Sequence, residues 1–532
     1  MAALTDPPGG SERRARPEGV CRRMLAQVTS ATVFGIDAYP VRVEVDLANG
    51  LPCMNVVGLA EGAVREGRER VIAALANSGR PVPPRRITVS LAPGDLPKSG
   101  SGFDLPIAIG ILTAAGALEP DAGSDTLLAG ELGLDGELRP LRGALSIALC
   151  CREAGLSRLI LPAPNAAEAA EVDGITVLGA TSLDEVVASL SGAAALPPAS
   201  RAPEPADDPW SVDFAEVKGQ EHVKRALEVA AAGQHNLLMI GPPGAGKSML
   251  ARRLPTILPG LARSEAIDVT RIHSVAGRLR AGSGLMRTRP FRAPHHTISE
   301  AGLVGGGTIP RPGEASLAHA GVLFLDELPE FRRSALEALR QPMEDQVIHI
   351  GRARGGATFP ASFMLVAAMN PCPCGHYGTS GSCICHPAHV VRYRGRVSGP
   401  LLDRIDVQVE VAALSERELF GARETESSAS IRERTEAARA RQTRRFRDEP
   451  GIHANAQMHP RHVRAHCTVD ARAEALLRTA IRRFGLSARA YHRVLRLART
   501  IADLEGADAI AASHVAEAVQ YRSLERPLAA AR

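Results

Sequence analysis

The alternation of apolar and polar residues starts abruptly at Met24. Before it, Met1 to Arg23 is rich in Pro, Gly and Arg and holds no apolar run, which reads as a disordered extension over residues 1–23. After it, MLAQVTSATVFGIDAYPVRVEVDL alternates with a period of two, as a pair of half-buried strands does. Up to residue 190, short Val/Ile/Leu runs (VRVEVDL, ITVSLAP) are interleaved with stretches of helical periodicity (LPIAIGILTAAGAL, ALSIALCCREAGLSRLILPA), predicting an α+β or α/β domain over 24–190. Residues 191–209, SGAAALPPASRAPEPADDP, offer little to fill a core and read as a linker. Beyond it, LLMIGPPGAGKSMLARRL predicts strand, glycine loop and helix, while GVLFLDELPEF and FMLVAAMNP predict two further buried strands. Strands that alternate with helices build a parallel sheet, so 210–414 reads as an α/β core. From about Ser415 the apolar period is helical throughout, giving an all-α unit over 415–532. No internal repeat is evident.

Length agrees with this division, since 532 residues exceed what one hydrophobic core organises. No stretch approaches the roughly 20 apolar residues of a membrane span, and the first residues lack the apolar segment of a signal peptide, so a cytoplasmic protein with no membrane partner is expected. A net charge of +5 permits nucleic-acid binding without arguing for it. Nine cysteines in such a chain argue against a disulfide framework, and four of them cluster between Cys372 and Cys385.

The candidate chemistry centres on Gly241, Pro242, Pro243, Gly244, Ala245, Gly246, Lys247 and Ser248, which satisfy G-x-x-x-x-G-K-[ST] between an apolar strand and a helix. Glycines let backbone N–H groups wrap phosphates, the lysine reaches the β- and γ-phosphates, and the hydroxyl sits on Mg²⁺ at a helix N-terminus. In GVLFLDEL the apolar run ends on Asp326, suited to hold Mg²⁺, and Glu327, suited to polarise the attacking water. A third strand ends at Asn370, where an amide could orient that water. SGPLLDRIDV puts Arg404 in a helix-to-strand corner, from which a guanidinium could reach a neighbouring subunit's γ-phosphate; the alternative is a surface arginine paired with Asp403 or Asp406. Arg489 opens a C-terminal helix and could touch the same nucleotide, with Arg493 as the competing choice.

The stretches GIDAYPVRVEVDLANGLP, LAPGDLPKSGSGFDLPIAIGIL, GPPGAGKSMLARRLPTILP, RPFRAPHHTISEAGLVGGG, PRPGEASLAHAGVLFLDELPEF, AAMNPCPCG, SGPLLDRIDV and SARAYHRVLRLARTIADL together resemble the magnesium-chelatase-like AAA+ ATPases labelled YifB or ComM, from Met24 to about Arg526. The resemblance implies an α/β P-loop AAA+ core of the helix-2-insert group, an N-terminal Lon-protease-like (ribosomal S5 domain 2-like) α+β domain and a C-terminal helical lid. It also implies ATP and Mg²⁺ as cofactors, the roles given above to Lys247, Asp326, Asn370, Arg404 and Arg489, and a homo-hexameric motor that drives branch migration of single-stranded or branched DNA during transformation. Within the Lon-like segment the nucleophile position falls on Gly102 and its lysine partner's on Leu145, so a Ser–Lys dyad is missing. A shifted dyad would have to draw on Lys98, Ser99 and Ser101. Two other functions remain: a chelatase motor subunit that remodels a partner protein, and an ATP-dependent protease, which the missing dyad disfavours.

Cys372, Cys374, Cys383 and Cys385 form C-x-C-x₈-C-x-C, with His376, His386 and His389 nearby. Four soft ligands could close a structural zinc site, though C-x-C is tighter than the usual C-x₂-C, and unliganded or redox-labile thiols are the alternative. His295 and His296 look like a metal pair, yet neighbouring side chains on an extended segment point apart, which favours a structural or pore-loop role. VIHIGRARGGATFPA alternates as a hairpin and carries His349, Arg352 and Arg354 near its tip; in a ring these could track a phosphate backbone, or be a solvated tip. The run RERTEAARARQTRRFR reads mainly as an exposed helix face.

Overall fold

A computed structural model describes residues 25–522 apart from 60–61, 99, 204–209, 308–309, 353–354, 379–382, 415–417, 419–424, 450 and 485–486; the expected extension over 1–23 lies outside the described residues. The chain divides into two compact units. One is drawn from the residues up to Ala31, Pro40–Arg139 and Ala180–Leu196, the other from Thr32–Tyr39, Pro140–Gly179 and everything from Pro197 onward.

In the first unit the strands lie in the order Cys53–Val57, Arg86–Ala92, Asp37–Ala48, Leu25–Phe34, Thr126–Leu128. Asp37–Ala48 runs antiparallel to Arg86–Ala92, with Val45 opposite Val89. The period of two is realised: Val41, Val43, Val45 and Leu47 are buried while Arg42 and Asp46 are exposed. Helix Asp104–Ala114, apolar on nearly every side, is buried almost throughout. Gly110 permits its close approach to the sheet, since a Cβ there would lie 2.6 Å from Cγ2 of Val45. The helix begins at Asp104, whose carboxylate takes the Arg70 Nε–H at 2.8 Å and the Leu132 N–H at 3.3 Å. Burial lifts this carboxyl to about 6 against the downward pull of Arg70.

The second unit is built on a five-stranded sheet in the order Phe291–Arg292, Val322–Leu325, Met364–Met369, Leu237–Ile240, Val407–Glu410, with every neighbouring pair parallel. Its central strands read as continuous apolar runs because both faces are covered. Val322, Phe324, Met364, Val366 and Ala368 enter one core. Leu323, Leu325, Leu365, Ala367 and Met369 enter the other. The α/β P-loop core expected from the sequence is thus present. The C-terminal helices are not a separate body, since Val494, Leu497, Ala498 and Ile501 of helix Ala488–Leu504 share the first of these cores.

The division into units runs through residues 24–190 and groups Pro140–Gly179 with the second. There the Gly143 N–H, leading into helix Ala144–Glu153, bonds to Ser274 Oγ at 2.9 Å, and Ser146 Oγ and Arg271 both donate to the Ile36 carbonyl. Within the segment read as a linker, the backbone at Pro198 and Ala199 is paired. Ala199 N–H donates to the Val177 carbonyl at 2.8 Å and Pro198 bridges to Leu178, so unpaired backbone of an edge strand is satisfied by the segment that looked coreless. Among the described residues no helix is long and apolar enough to cross a membrane.

Candidate nucleotide site

Strand Leu237–Ile240 delivers the glycine loop at its carboxyl end, and helix Lys247–Arg253 leaves from it. Gly241 is required by packing, because a Cβ would sit 2.1 Å from the Val411 carbonyl oxygen. Gly244 and Gly246 take φ of +77° and +87°, the left-handed region in which glycine is free of strain. Lys247 folds back over the loop. Its Nζ donates to the Gly241 and Pro242 carbonyls at 2.7 and 2.8 Å and to Asn370 Oδ1 at 3.1 Å. Burial lowers its pKa, with Asp326 opposing. Ser248 Oγ donates to Asp326 Oδ2 at 2.5 Å. Lysine, hydroxyl, carboxylate and amide therefore meet at the carboxyl ends of three adjacent strands. Such a donor set suits a triphosphate with its Mg²⁺: Lys247 and the loop N–H groups for the anion, Ser248 and Asp326 for the cation.

Glu327 follows at φ 53°, a conformation a non-glycine residue holds only when its surroundings impose it. Its side chain is exposed, and its carboxylate lies 3.5 Å from Nδ1 of His296. The two histidine rings do not diverge. His295 and His296 sit in a turn with centroids 4.0 Å apart, so the opposed directions expected of an extended segment are not found. Sequence reasoning missed His296 as a neighbour of Glu327; the signal was its place just past the strand Phe291–Arg292, at the same end of the sheet.

Arg404 and Asp406 lie at the other end. Asp406 N–H bonds to the Asn236 carbonyl at 3.0 Å, and Asn236 immediately precedes the strand that leads to the glycine loop. Because Val407–Glu410 runs parallel to Leu237–Ile240, the length of the sheet separates Arg404 from its own loop. Arg404 is not the surface residue weighed from the sequence. It is 6% exposed and pairs with Glu344 at 2.5 Å rather than with Asp403 or Asp406. Asp406 is engaged by Arg493 at 3.2 Å and by His235 at 3.4 Å. Burial alone would raise its carboxyl, but the Arg493 guanidinium, with His235 beside it, holds it well below the usual range. Arg493 thus belongs to the end remote from its own glycine loop, which corrects the expectation that it competes for the same nucleotide. Arg489 is exposed in the first turn of the same helix, four residues earlier.

The sulfurs of Cys372, Cys374, Cys383 and Cys385 all lie within 4.8 Å of one another. The backbone N–H of His376 pulls the Cys374 thiol down to about 6. His386 accepts the Ala388 N–H as a helix cap. The expected hairpin forms from Val347–Arg352 and Gly355–Pro360. His349 stands on its exposed face in mid-strand rather than near the tip, with its ring on Thr358 Oγ1 at 3.0 Å. Arg354 and the side chain of Arg352 fall outside what is described. The arginine-dense run is not simply exposed: in helix Ser428–Arg445, Arg445 clasps Asp503 at 2.6 and 2.7 Å and Arg432 donates to the Thr256 carbonyl. In the Lon-like segment Gly102 has no nucleophile to offer and Leu145 is a fully buried apolar residue. Lys98 donates to the Pro93 carbonyl and Ser101 to Glu131, so these two form no dyad; Ser99 lies outside the described residues.

Three family models match in succession: subunit ChlI of Mg-chelatase over residues 43–165, magnesium chelatase subunit ChlI over 213–419, and the ChlI C-terminal model over 425–522. YifB of Salmonella typhimurium is 44% identical over 509 residues, 95% of this chain and 98% of its own length. Competence protein ComM of Haemophilus influenzae is 44% identical over 511 residues, with the same coverage. The chain belongs to the magnesium-chelatase-like YifB/ComM family. A Lon protease 2 from Bacillus subtilis is 29% identical over 150 residues, 26% of this chain and 26% of its own length, a partial likeness. Across the YifB/ComM relatives the match runs nearly end to end, so family membership covers both units and not the nucleotide loop alone.

Proposed function

We propose that the chain is a cytoplasmic ATPase of AAA+ type that binds ATP and Mg²⁺ on the loop Gly241–Ser248 and works as a homo-hexameric ring on single-stranded or branched DNA, driving branch migration. The observation that carries the ATPase reading is the meeting of Lys247 Nζ with Asn370 at 3.1 Å and of Ser248 with Asp326 at 2.5 Å. Lys247 would exchange its carbonyl partners for the β- and γ-phosphates, and Ser248 and Asp326 would turn from each other to the cation. Bound Mg²⁺ would neutralise charge on the phosphates. Glu327, with His296 beside it, would hold and polarise the attacking water, and Asn370 would fix its direction.

Arg404 supports the ring. Standing at the far end of the sheet from its own loop, it can meet a γ-phosphate only on another chain, and must first leave Glu344. Arg489, exposed in the first turn of helix Ala488–Leu504, would touch the nucleotide from the helical lid. For DNA, the support is the relative named as a competence protein, together with the exposed His349 on the hairpin. ATP turnover measured with and without forked DNA tests this: stimulation is expected, and indifference sinks the DNA reading. A synthetic four-way junction sharpens it, since Lys247→Ala and Glu327→Gln should both abolish branch migration.

A second reading, a motor subunit that remodels a metal-chelatase partner, is favoured by the three chelatase family models and expects no response to DNA. A protease is disfavoured by Gly102 and Leu145.

A further inference from the structure

Among the described residues of the segment after Asn370, the large apolar side chains Ile384 and Tyr377 face outward, at 88% and 36% exposed, while Cys372 is fully buried. Four sulfurs occupy the place of a core. Cys372 Sγ lies 3.3 Å from Cys374 and 3.8 Å from Cys383, and Cys374 lies 3.6 Å from Cys383. A tetrahedron with Zn–S bonds of about 2.3 Å has S···S edges of about 3.8 Å, close to this spacing, whereas a disulfide needs about 2.05 Å. A backbone donor already faces one sulfur: Tyr377 N–H points at Cys372 Sγ at 3.3 Å, as outer-shell donors do around zinc-bound sulfur. Among the described residues, the side chains grouped closely enough to hold the ion are these four cysteines.

This loop also bears on the nucleotide loop. Gly375, between Cys374 and His376, has φ +86°, and a Cβ on it would come 2.4 Å from Cδ of Pro243. At the other end Asn370 takes the Lys247 ammonium, and the next residue, Pro371, is tied by its carbonyl to Arg394 Nε at 2.9 Å. The Arg394 guanidinium lies over the Tyr377 ring at 5.5 Å.

We propose that Cys372, Cys374, Cys383 and Cys385 bind one zinc ion, and that the loop so closed is the buttress on which Pro243 and Lys247 of the nucleotide loop rest. The second half rests on the reading of Gly241–Ser248 as a nucleotide site. Zinc does no chemistry here; it supplies the folding energy that the loop's outward-facing side chains cannot.

The test uses the full chain purified under reducing conditions, with zinc counted by elemental analysis and binding of a fluorescent ATP analogue measured by titration. One zinc per chain is expected, lost in Cys372→Ser and Cys383→Ser but retained in Lys247→Ala. Chelation of the zinc should weaken nucleotide binding by on the order of tenfold, the scale of one lost packing contact. Because cysteine variants can misfold, Gly375→Ala is the second arm: it should keep its zinc, keep its circular dichroism and lose nucleotide affinity to a similar degree. A protein that takes up no zinc on reconstitution with its thiols reduced overturns the metal site. If zinc is present but chelation and Gly375→Ala leave nucleotide affinity unchanged, the buttress is overturned. Full zinc with no nucleotide binding by the unmodified chain overturns the nucleotide reading and the buttress with it, while the metal site stands.

Discussion

The two ends of the five-stranded sheet are opposites in chemistry. At the carboxyl end Lys247, Ser248, Asp326 and Asn370 bond chiefly to one another and to loop carbonyls, partners that a phosphate and a cation can replace without leaving a charge stranded. At the amino end Asp406, Arg493 and His235 form a buried cluster that nothing in solution could substitute, and Arg404 is drawn in beside it by Glu344. One end is thus poised for exchange and the other is locked. A ligand site needs groups whose bonds are satisfied yet tradable, whereas burial of the same residue types with fixed partners makes structure.

The comparison breaks first at Arg404. If it serves a neighbour's phosphate, Arg404→Ala should cut turnover by about 10³- to 10⁵-fold while nucleotide binding and assembly persist. A large loss of thermal stability with unchanged turnover per folded chain would instead assign it to the locked cluster with Asp406. Glu327→Gln should reduce turnover by about 10²- to 10⁴-fold with ATP still bound, the range of a lost general base. Single-turnover measurement separates this from a binding defect.

Asp406→Ala probes the locked end and should cost about 3–5 kcal/mol in denaturant unfolding, because Arg493 would be left buried without its counter-charge. The sign of its pH dependence follows from a folded pKa held below the unfolded value of about 3.9: the contribution is present above that pH and is lost as pH falls through the folded pKa. In the other unit, Gly110→Ala should cost about 1–3 kcal/mol by overpacking against Val45, with ATP turnover unchanged.

The exchangeable end was legible in the sequence and the locked end was not. Gly241 to Ser248, Asp326, Glu327 and Asn370 each sit where an apolar strand stops, so their convergence follows once the strands are taken as parallel and adjacent. Arg404, Glu344 and Arg493 come from three distant segments, and no local pattern tells which carboxylate an arginine will find. His296 and Gly375 were missed for the same reason, since their meaning lies in Glu327 and Pro243 across the fold. Contacts between distant helices were hidden differently. Apolar periodicity marks elements, and it cannot say that the N-terminus of Ala144–Glu153 is tied to Ser274 of Arg263–Val275.

One measurement bears most directly on the claim that the two ends belong to one reaction shared between chains. Lys247→Ala and Arg404→Ala, each inactive alone, are mixed under conditions of ring assembly and assayed for ATP turnover. Recovery of activity is predicted, because some interfaces then join an intact loop on one chain to an intact arginine on the next. Mixed rings that form yet stay as inactive as either variant would contradict it.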